Sequence, residues 1–266
     1  MESTSLRILE DPKTEEIPED DDDEGFISFG STKIPKYAIE LDVKIREKCT
    51  TIIFSEGLQA TEFAKNHLPL VSPDPIGKLI KQTQLDKSDI EIWGLQYKEP
   101  EPSWFFQISQ DTLLCTTSST MSSEDFYLFA QTVINSFKSS ITVLILTVLA
   151  SSNFKSDDHP TDMESPLWRT LATTHYSYTD LVKDTRLEQP NILGGVAAGI
   201  LTVCEIKEVP AIACVVFSST LNLEEDMVQG FSEFLRSVES TRRLSISQTG
   251  RFPVRIQSAK TGNLYI

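Results

Sequence analysis

The 266-residue sequence predicts an α/β domain on three observations. From Thr50 onward, short apolar runs with strand character alternate with segments in which apolar residues recur at helical spacing. The composition, 39% hydrophobic and 24% charged, is that of a globular protein, and a chain of this length can bury a large core. The longest apolar run, residues 141–150, is about half as long as a membrane-spanning helix, so it predicts a buried strand.

The first half of this domain begins with a predicted strand at residues 51–54. A helix follows, marked by apolar residues at helical spacing: Ala60, Phe63, Ala64 and Leu68. After the breaker Pro73-Asp74-Pro75, a second short helix is predicted from Ile76, Leu79 and Ile80. Three strands are predicted next, at residues 90–97, 104–108 and 112–116, and the turn residues between them favour antiparallel hairpins.

The middle of the domain carries a stronger helical pattern. Ser122 and Asp125 predict a capping box at the start of a helix. One apolar face follows it: Phe126, Phe129, Ala130, Val133, Ile134 and Phe137. After the strand at 141–150 and a polar loop at 151–164, Pro166 predicts the first turn of a short helix that carries Leu167, Trp168 and Leu171.

Two helices flank the last predicted strand, which covers residues 211–217. The first, at residues 191–205, has little polar face and should be largely buried, with Gly194, Gly195 and Gly199 permitting close backbone approach. The second begins with caps at Asn222 and Glu225. Its apolar side is formed by Leu223, Met227, Val228, Phe231, Phe234, Leu235 and Val238.

Charge is distributed unevenly along the chain. The net charge is −15, of which residues 1–24 carry −9, whereas residues 236–266 carry +5. An acidic segment with few apolar residues cannot offset the entropy lost on ordering. We therefore predict a disordered acidic tail at residues 1–25, a single α/β domain at residues 26–240 and a basic C-terminal tail at residues 241–266. The acidic balance also argues against binding to nucleic acid.

Cysteine usage and the N-terminal composition indicate the compartment. The four cysteines, Cys49, Cys115, Cys204 and Cys214, form no CxxC motif, and the sequence has no N-x-Ser/Thr sequon, which favours a reducing, intracellular setting. The first residues are polar and acidic, so they predict no targeting peptide. We expect a cytoplasmic protein that also enters the nucleus and does not insert into membranes.

The search for catalytic motifs finds no GxSxG, HExxH, Walker A or GxGxxG sequence. The three histidines, His67, His159 and His175, are interpreted as helix-end or loop residues. We therefore predict no enzymatic activity, no cofactor and no metal site.

Two clusters of residues could nevertheless bind a ligand, one a metal ion and the other a phosphate. One loop gathers oxygen and imidazole donors that suit a hard metal ion, although without the order of a calcium loop they predict a solvated segment: Asp157, Asp158, His159, Asp162 and Glu164. The glycines at 194, 195 and 199 could cradle a phosphate at a helix N-terminus. No lysine follows them and no strand precedes them, so helix packing explains them better.

A basic sequence near the C-terminus, Arg242-Arg243-Leu244-Ser245, resembles a recognition site of basophilic kinases. A phosphate on Ser245 would offset part of the local positive charge. Such short patterns also arise by chance.

The last residues form the most informative segment. Leu264, Tyr265 and Ile266 end the chain with three apolar side chains and a free carboxylate, after the flexible step Gly262-Asn263. A docked carboxylate can meet a lysine or backbone N–H groups, while leucine and tyrosine bury apolar area. Each buried side chain contributes about 1.5–3 kcal/mol, so the anchor needs a second contact surface for firm binding. The alternatives are packing on its own domain and recognition by a PDZ domain.

Three sequence motifs, in this order, resemble the proteasome assembly chaperone 1 family. They are Ser165-Pro166-Leu167 with Arg169 and Leu171, then residues 187–192 (Leu-Glu-Gln-Pro-Asn-Ile), then Pro210-Ala211-Ile212. The acidic N-terminus agrees with the family, and Leu264-Tyr265-Ile266 fits its hydrophobic-tyrosine-any (HbYX) ending.

The resemblance implies a non-enzymatic chaperone that forms a heterodimer with proteasome assembly chaperone 2 and sits on the outer face of the α-subunit ring of proteasome precursors. It implies that the C-terminal anchor enters a pocket between α subunits: Leu264 makes contact, Tyr265 fills a slot and the Ile266 carboxylate meets a lysine. Occupancy of this pocket would promote α-ring assembly and block premature docking of activators. The implied fold is a three-layer α/β/α sandwich with a mixed sheet, similar to nucleoside phosphorylases.

Two other functions stay open from the residues alone. A nucleoside phosphorylase-like or hydrolase-like enzyme would need convergent acid, base and phosphate-binding groups, which the sequence does not assemble. A PDZ-recruited adaptor would use Leu264 and Ile266 but would depend little on Tyr265.

Overall fold

The computed structural model describes residues 36–82, 100–117, 121–155, 167–178 and 185–247, and the structural statements below concern these residues. Their strands are β1 (Lys36–Glu40), β2 (Thr51–Glu56), β3 (Gly77–Gln82), β4 (Ser103–Gln107), β5 (Thr112–Thr116), β6 (Thr142–Ala150), β7 (Trp168–Ala172) and β8 (Ala211–Ser218). Their α-helices are α1 (Val43–Lys48), α2 (Leu58–His67), α3 (Phe126–Asn135), α4 (Gly195–Ile206) and α5 (Glu225–Ser237).

The strands form one mixed sheet in the order β1-β3-β4-β5-β2-β6-β8-β7. Its centre is parallel: Phe54 of β2 pairs with Cys115 of β5 and Ile145 of β6, and β6 pairs in parallel with β8. The flanking strands β1, β3, β4 and β7 pair antiparallel to their neighbours. The parallel centre gives the sheet a carboxyl edge, beyond Glu56, Ala150 and Ser218, and an amino edge, before Thr51, Thr142 and Ala211.

Helices cover both faces of this centre because the strand side chains alternate in direction. Ile52 and Phe54 belong to the core on the side of α3 and α4. Ile53, between them, belongs to the core on the side of α2 and α5. The three-layer α/β/α sandwich with a mixed sheet is therefore confirmed.

The two faces use different kinds of helix. Helix α5 is amphipathic and buries Met227, Phe231 and Phe234, whereas Glu225 and Asp226 occupy its first turn. Helix α4 is apolar over most of its surface because it packs on both the sheet and α3. A Cβ on Gly199 would lie 3.1 Å from backbone atoms of Phe126, so the predicted close approach is confirmed at this glycine.

The structure confirms the predicted strands at 51–54, 104–108, 112–116, 141–150 and 211–217 and the helices after residues 58, 126 and 225, with small shifts of their ends. The antiparallel pairing of residues 104–108 with 112–116 is confirmed as well. The predicted strand at 90–97 lies outside the described residues, as does most of the loop at 151–164, which begins with a short 3-10 helix at Ser151–Asn153. Strand β1 and helix α1 were not predicted.

Two predicted helices are wrong, and both segments are strands. Residues 77–80 belong to β3, which buries Leu79 and pairs with β1 on one side and β4 on the other. Residues 168–171 belong to β7, in which Thr170 is buried while Leu171 is exposed. Both segments are too short for helical periodicity to be decisive, and the available backbone partners at the sheet margins determined the outcome.

The predicted helix starts also need correction. Ser122 Oγ donates to Asp125 Oδ2 at 2.7 Å rather than accepting from a backbone N–H, so this pair is not a capping box. Helix α4 begins at Gly195, four residues later than predicted, because Asn191 bonds to Lys155 and Glu188 instead. Helix α5 is preceded by Glu224, and its start has no side-chain cap, so the predicted capping pair of Asn222 and Glu225 is wrong.

Candidate functional site

The carboxyl edge is where α/β proteins usually bind ligands, and here Glu56 occupies it. Glu56 ends β2, and its Oε1 accepts a hydrogen bond from Val196 N at 2.6 Å. Its Oε2 accepts from Ala197 N at 3.2 Å and from Thr147 Oγ1 at 3.0 Å. The carboxylate therefore lies on the first turn of α4, where the positive end of the helix dipole attracts an anion.

Two glycines make this arrangement possible. Gly57 (φ 85°) turns the chain away directly after Glu56, and Gly195 (φ 73°) adopts a backbone conformation that favours glycine. A Cβ on Gly195 would collide with the Glu56 carboxylate, whereas one on Gly194 would meet no atom within 4 Å. Gly195 thus makes room for a side chain of the same protein, and the phosphate interpretation of the glycines is not supported.

Burial determines the electrostatics of Glu56. Desolvation raises the pKa of Glu56 above its ordinary value, and the hydrogen bonds from Val196, Thr147 and Ala197 partly oppose that rise. All three donors converge on one carboxylate, so the group links β2, β6 and α4 across the edge. Within the described ranges, no three His, Cys, Asp or Glu side chains are placed to hold a metal ion together.

Three large apolar side chains are exposed at the same carboxyl edge, and we call them the apolar patch: Leu58, Ile192 and Leu221. Their exposed fractions are 65%, 85% and 84%. Leu58 opens α2, Ile192 precedes α4 and Leu221 follows β8. Gln59 Nε2 donates to Thr220 O at 3.3 Å, which holds the first and last of these segments together. Leu58 and Leu221 are therefore available for contact with another molecule.

The amino edge carries an open cleft of about 420 Å³, lined by Thr142, His175, Tyr176, Ser177, Pro210, Val238, Glu239 and Ser240. Burial raises the pKa of the Tyr176 phenol to about 12. His175 lies in an exposed turn, as the loop interpretation predicts. The cleft is open to solvent and has both polar and apolar lining, whereas enzyme pockets enclose most of their ligand.

The described part of the chain ends at the same edge, at Ser247. After α5, the Thr241 hydroxyl is buried and donates to Leu235 O at 2.7 Å, and Leu244 and Ile246 pack against the core beneath α2 and α5. Ser247 N donates to His67 O at 2.9 Å, and His67 Nδ1 lies 2.7 Å from Ser247 O. A carbonyl only accepts, so Nδ1 carries the hydrogen. We call these two bonds the His67–Ser247 pair.

His67 itself is buried at the end of α2 and stacks on Phe63, with ring centroids 5.3 Å apart. Its interpretation as a helix-end residue is confirmed. His159 lies outside the described residues, together with the rest of the acidic loop cluster (Asp157, Asp158, Asp162 and Glu164). Leu264, Tyr265 and Ile266 also lie outside them, so their partner-binding role stays a prediction.

Residues that carry the family resemblance meet in the structure. Arg169 of the first motif forms an ion pair with Glu188 of the second, with Nε and Oε2 3.0 Å apart. Thr170 N donates to Thr185 O at 2.6 Å and Leu187 N donates to Thr170 O at 2.8 Å, so the second motif lies along the free side of β7. The described parts of these motifs therefore hold the edge of the sheet together.

Sequence reasoning missed Glu56 and the His67–Ser247 pair. An acidic residue directly after a buried apolar strand and directly before a glycine was the available signal for Glu56. No sequence signal indicated that Val196, 140 residues later, would provide its partner. No helix in the described parts of the chain combines the length and apolar character needed to cross a membrane.

Comparison with known proteins identifies the class. The family model described as "Proteasome assembly chaperone 4", with the short name PAC1, matches residues 36–266. This chain belongs to that family of proteasome assembly chaperones.

Individual relatives agree with the family match. Proteasome assembly chaperone 1 of Xenopus tropicalis is 25% identical over 246 residues, covering 86% of this chain and 81% of its own length. Proteasome assembly chaperone 1 of Nematostella vectensis is 22% identical, covering 69% of this chain and 72% of its own length.

Solved structures show the fold alone at this level of identity. Pyrococcus furiosus PbaA in its monoclinic form, an archaeal homolog of proteasome-assembly chaperone, superposes with a TM-score of 0.54 at 12% identity, covering 80% of this chain and 84% of PbaA. P. furiosus PbaB, an archaeal proteasome activator, gives a TM-score of 0.50 at 12% identity over 76% of this chain and 88% of PbaB.

Proposed function

We propose that this protein pairs with proteasome assembly chaperone 2 and binds the α-subunit ring of proteasome precursors through its C-terminal anchor. The anchor is Leu264, Tyr265 and Ile266. In this proposal its insertion promotes α-ring assembly and blocks premature docking of activators. The observation that carries the proposal is the family match, because it extends from residue 36 through the last three residues.

The length of sequence after Ser247 supports a docking role for the tail. Nineteen residues, 248–266, follow Ser247. An extended chain of that length reaches at most about 63–68 Å. The tail could therefore reach a socket beyond the footprint of the domain. The anchor buries little area by itself, so the proposal requires the folded domain as the second contact surface.

The filled carboxyl edge supports a binding role over the enzymatic alternative. A phosphorylase-like enzyme needs a free anion site at this edge, and Glu56 holds the first turn of α4. The buried free cysteines support the proposed cytoplasmic and nuclear location, where thiols remain reduced.

Pulldown of recombinant α subunits by the full chain, paired with the second chaperone, tests the proposal. Deletion of residues 264–266 should lower recovery of α subunits while leaving thermal unfolding and the heterodimer unchanged. Tyr265→Ala should lower recovery nearly as much, and Asn263→Ala is the matched control. Unchanged recovery after the deletion would refute the anchor.

The same variants separate the alternatives. A PDZ-recruited adaptor would lose its partner after the deletion but retain it with Tyr265→Ala, because a PDZ groove reads the flanking apolar positions. Turnover of nucleosides by the purified wild-type chain would favour the enzyme instead.

A further inference from the structure

Ser245 has the surroundings of a modification site. It follows arginines at the third and second positions before it, Arg242 and Arg243, and no other serine in the sequence has arginine at both positions. The side chains of Ser245, Arg242 and Arg243 are all exposed. Guanidinium groups pair with carboxylates through charge-assisted hydrogen bonds, which is how a basophilic kinase reads its substrate. We propose that Ser245 is phosphorylated by a basophilic serine/threonine kinase and that the phosphate weakens the His67–Ser247 pair.

The chemistry requires only a hydroxyl from this chain. Ser245 Oγ attacks the γ-phosphorus of a nucleoside triphosphate, and the new O–P bond replaces the bond to the β–γ bridging oxygen. A nucleoside diphosphate leaves, and the catalytic aspartate of the kinase accepts the hydroxyl proton. The two arginines orient the substrate and take no part in the transfer.

The structure presents the hydroxyl on a weakly held segment. Leu244 and Ile246, on either side of Ser245, are only partly buried against the core. The described backbone bonds of this segment are local except for the bond from Ser247 N to His67 O. Exposed side chains, partly buried neighbours and mostly local backbone bonds are features of a segment that can open locally, as a kinase cleft requires.

A phosphate at Ser245 acts on the His67–Ser247 pair because it lies two residues away. His67 ends α2, and the C-terminal end of a helix carries partial negative charge. A phosphate with about two negative charges is unfavourable there, and it must stay hydrated between two partly buried apolar side chains. It also lowers the net charge of residues 236–266 from +5 to about +3. We therefore expect residues 244–247 to leave the surface more often.

Phosphorylation of the full chain by the catalytic subunit of cAMP-dependent protein kinase with ATP tests the site. Intact mass and peptide mapping should show one phosphoryl group, located on Ser245. Ser245→Ala should abolish it, and Arg242→Ala combined with Arg243→Ala should slow it about tenfold or more, the effect of losing charged hydrogen bonds. Ser240→Ala, at an exposed serine in the same segment, and Ser258→Ala, which follows a single arginine, should leave the rate unchanged.

Amide hydrogen exchange tests the structural effect. Exchange at Ser247 should be several-fold faster in the phosphorylated chain than in the unmodified one, with no change at buried strand β6. Phosphate on another residue, or no phosphate on the folded chain while a peptide of residues 239–250 is modified, would overturn the site. Unchanged exchange at Ser247 would overturn the link to His67.

Discussion

The two edges of the parallel sheet differ in what occupies them. At the carboxyl edge, a side chain of the protein itself, Glu56, takes the hydrogen bonds that the first turn of α4 would offer to an anion. At the amino edge, an open cleft lies near the segment that follows α5 and contains Ser247. One edge is filled by a side chain of the protein itself, and the other carries an open cleft.

Under the proposed function, this difference explains how an α/β sandwich can serve binding. The fold provides a ligand position at the carboxyl edge, but a fold alone does not determine function. Here a single glutamate fills that position and connects strands β2 and β6 to helix α4 by hydrogen bonds. The same edge presents the exposed side chains of the apolar patch, which are available to a partner.

The largest expected effect on stability is that of Gly195→Ala at the carboxyl edge. The new Cβ would collide with the Glu56 carboxylate and would strain a backbone with φ 73°. We expect the free energy of unfolding to fall by about 2–3 kcal/mol. Gly194→Ala is the control and should change it by less than about 1 kcal/mol, because its Cβ meets no neighbour. Chemical denaturation measures both, and equal losses would contradict this account of Gly195.

Glu56→Ala reopens the anion position directly. It leaves Val196 N, Ala197 N and Thr147 Oγ1 without this acceptor, so unfolding free energy should fall by about 2 kcal/mol. Inorganic phosphate should then raise the melting temperature of the variant more than that of the wild type. No difference between the two responses would show that the helix terminus does not act as an anion site.

The pH dependence of stability follows from the raised pKa of Glu56. Glutamate in an unfolded chain has a pKa of about 4.3. Between that pH and the raised pKa of Glu56, the folded chain therefore binds more protons than the unfolded chain. This group therefore favours folding increasingly as pH falls through that window, and its contribution is lost as pH rises. Glu56→Gln should flatten this part of the profile, and an unchanged slope would argue against a buried carboxylate.

A smaller effect is expected at the apolar patch, on the assumption that the chain pairs with a second chaperone. Leu58→Asp combined with Leu221→Asp should weaken the pair about tenfold, or about 1.4 kcal/mol, because charges replace exposed apolar contacts. Val71→Asp is the matched control, since Val71 is 67% exposed beyond the opposite end of α2. Titration calorimetry distinguishes them, and equal affinities would remove the patch from the interface.

The smallest effect concerns the amino edge. Ser247→Pro removes the N–H that donates to His67 O, while Ser247→Ala keeps it. Unfolding free energy should differ between the two by about 0.5–1 kcal/mol. Limited proteolysis should cut residues 244–247 faster in the proline variant. Identical cleavage would show that the His67–Ser247 pair does not hold this segment.

Much of the central fold was predictable because the apolar pattern of a long segment indicates its secondary structure. The run at residues 141–150 became β6, and the spacing of Phe129, Val133 and Phe137 placed α3. Strands β3 and β7 were misassigned as helices, because a segment of five or six residues is too short to distinguish the helical from the strand period. Their identity depends on distant partners, for β7 the register with β8.

The site at the carboxyl edge was harder to predict than the fold. Glu56 looked like any acidic residue after a strand, and its partners are 91 and 140 residues away. Close approach was predicted correctly for Gly199, but it is wrong for Gly194, where no atom lies within 4 Å of an added Cβ. At Gly195 the group that comes close is the Glu56 carboxylate, which neither helix packing nor phosphate binding had suggested. Only the folded arrangement brings these groups together.

The ion pair between Arg169 and Glu188 has a further consequence for colloidal behaviour. Strand β7 ends the sheet, and an unprotected terminal strand offers its N–H and C=O groups to any extended chain that collides with it. The bonds from residues 185–187 to Thr170 occupy that margin. Residues in and next to the family motifs therefore also protect this edge strand from pairing with other molecules, which would lead to aggregation at high concentration.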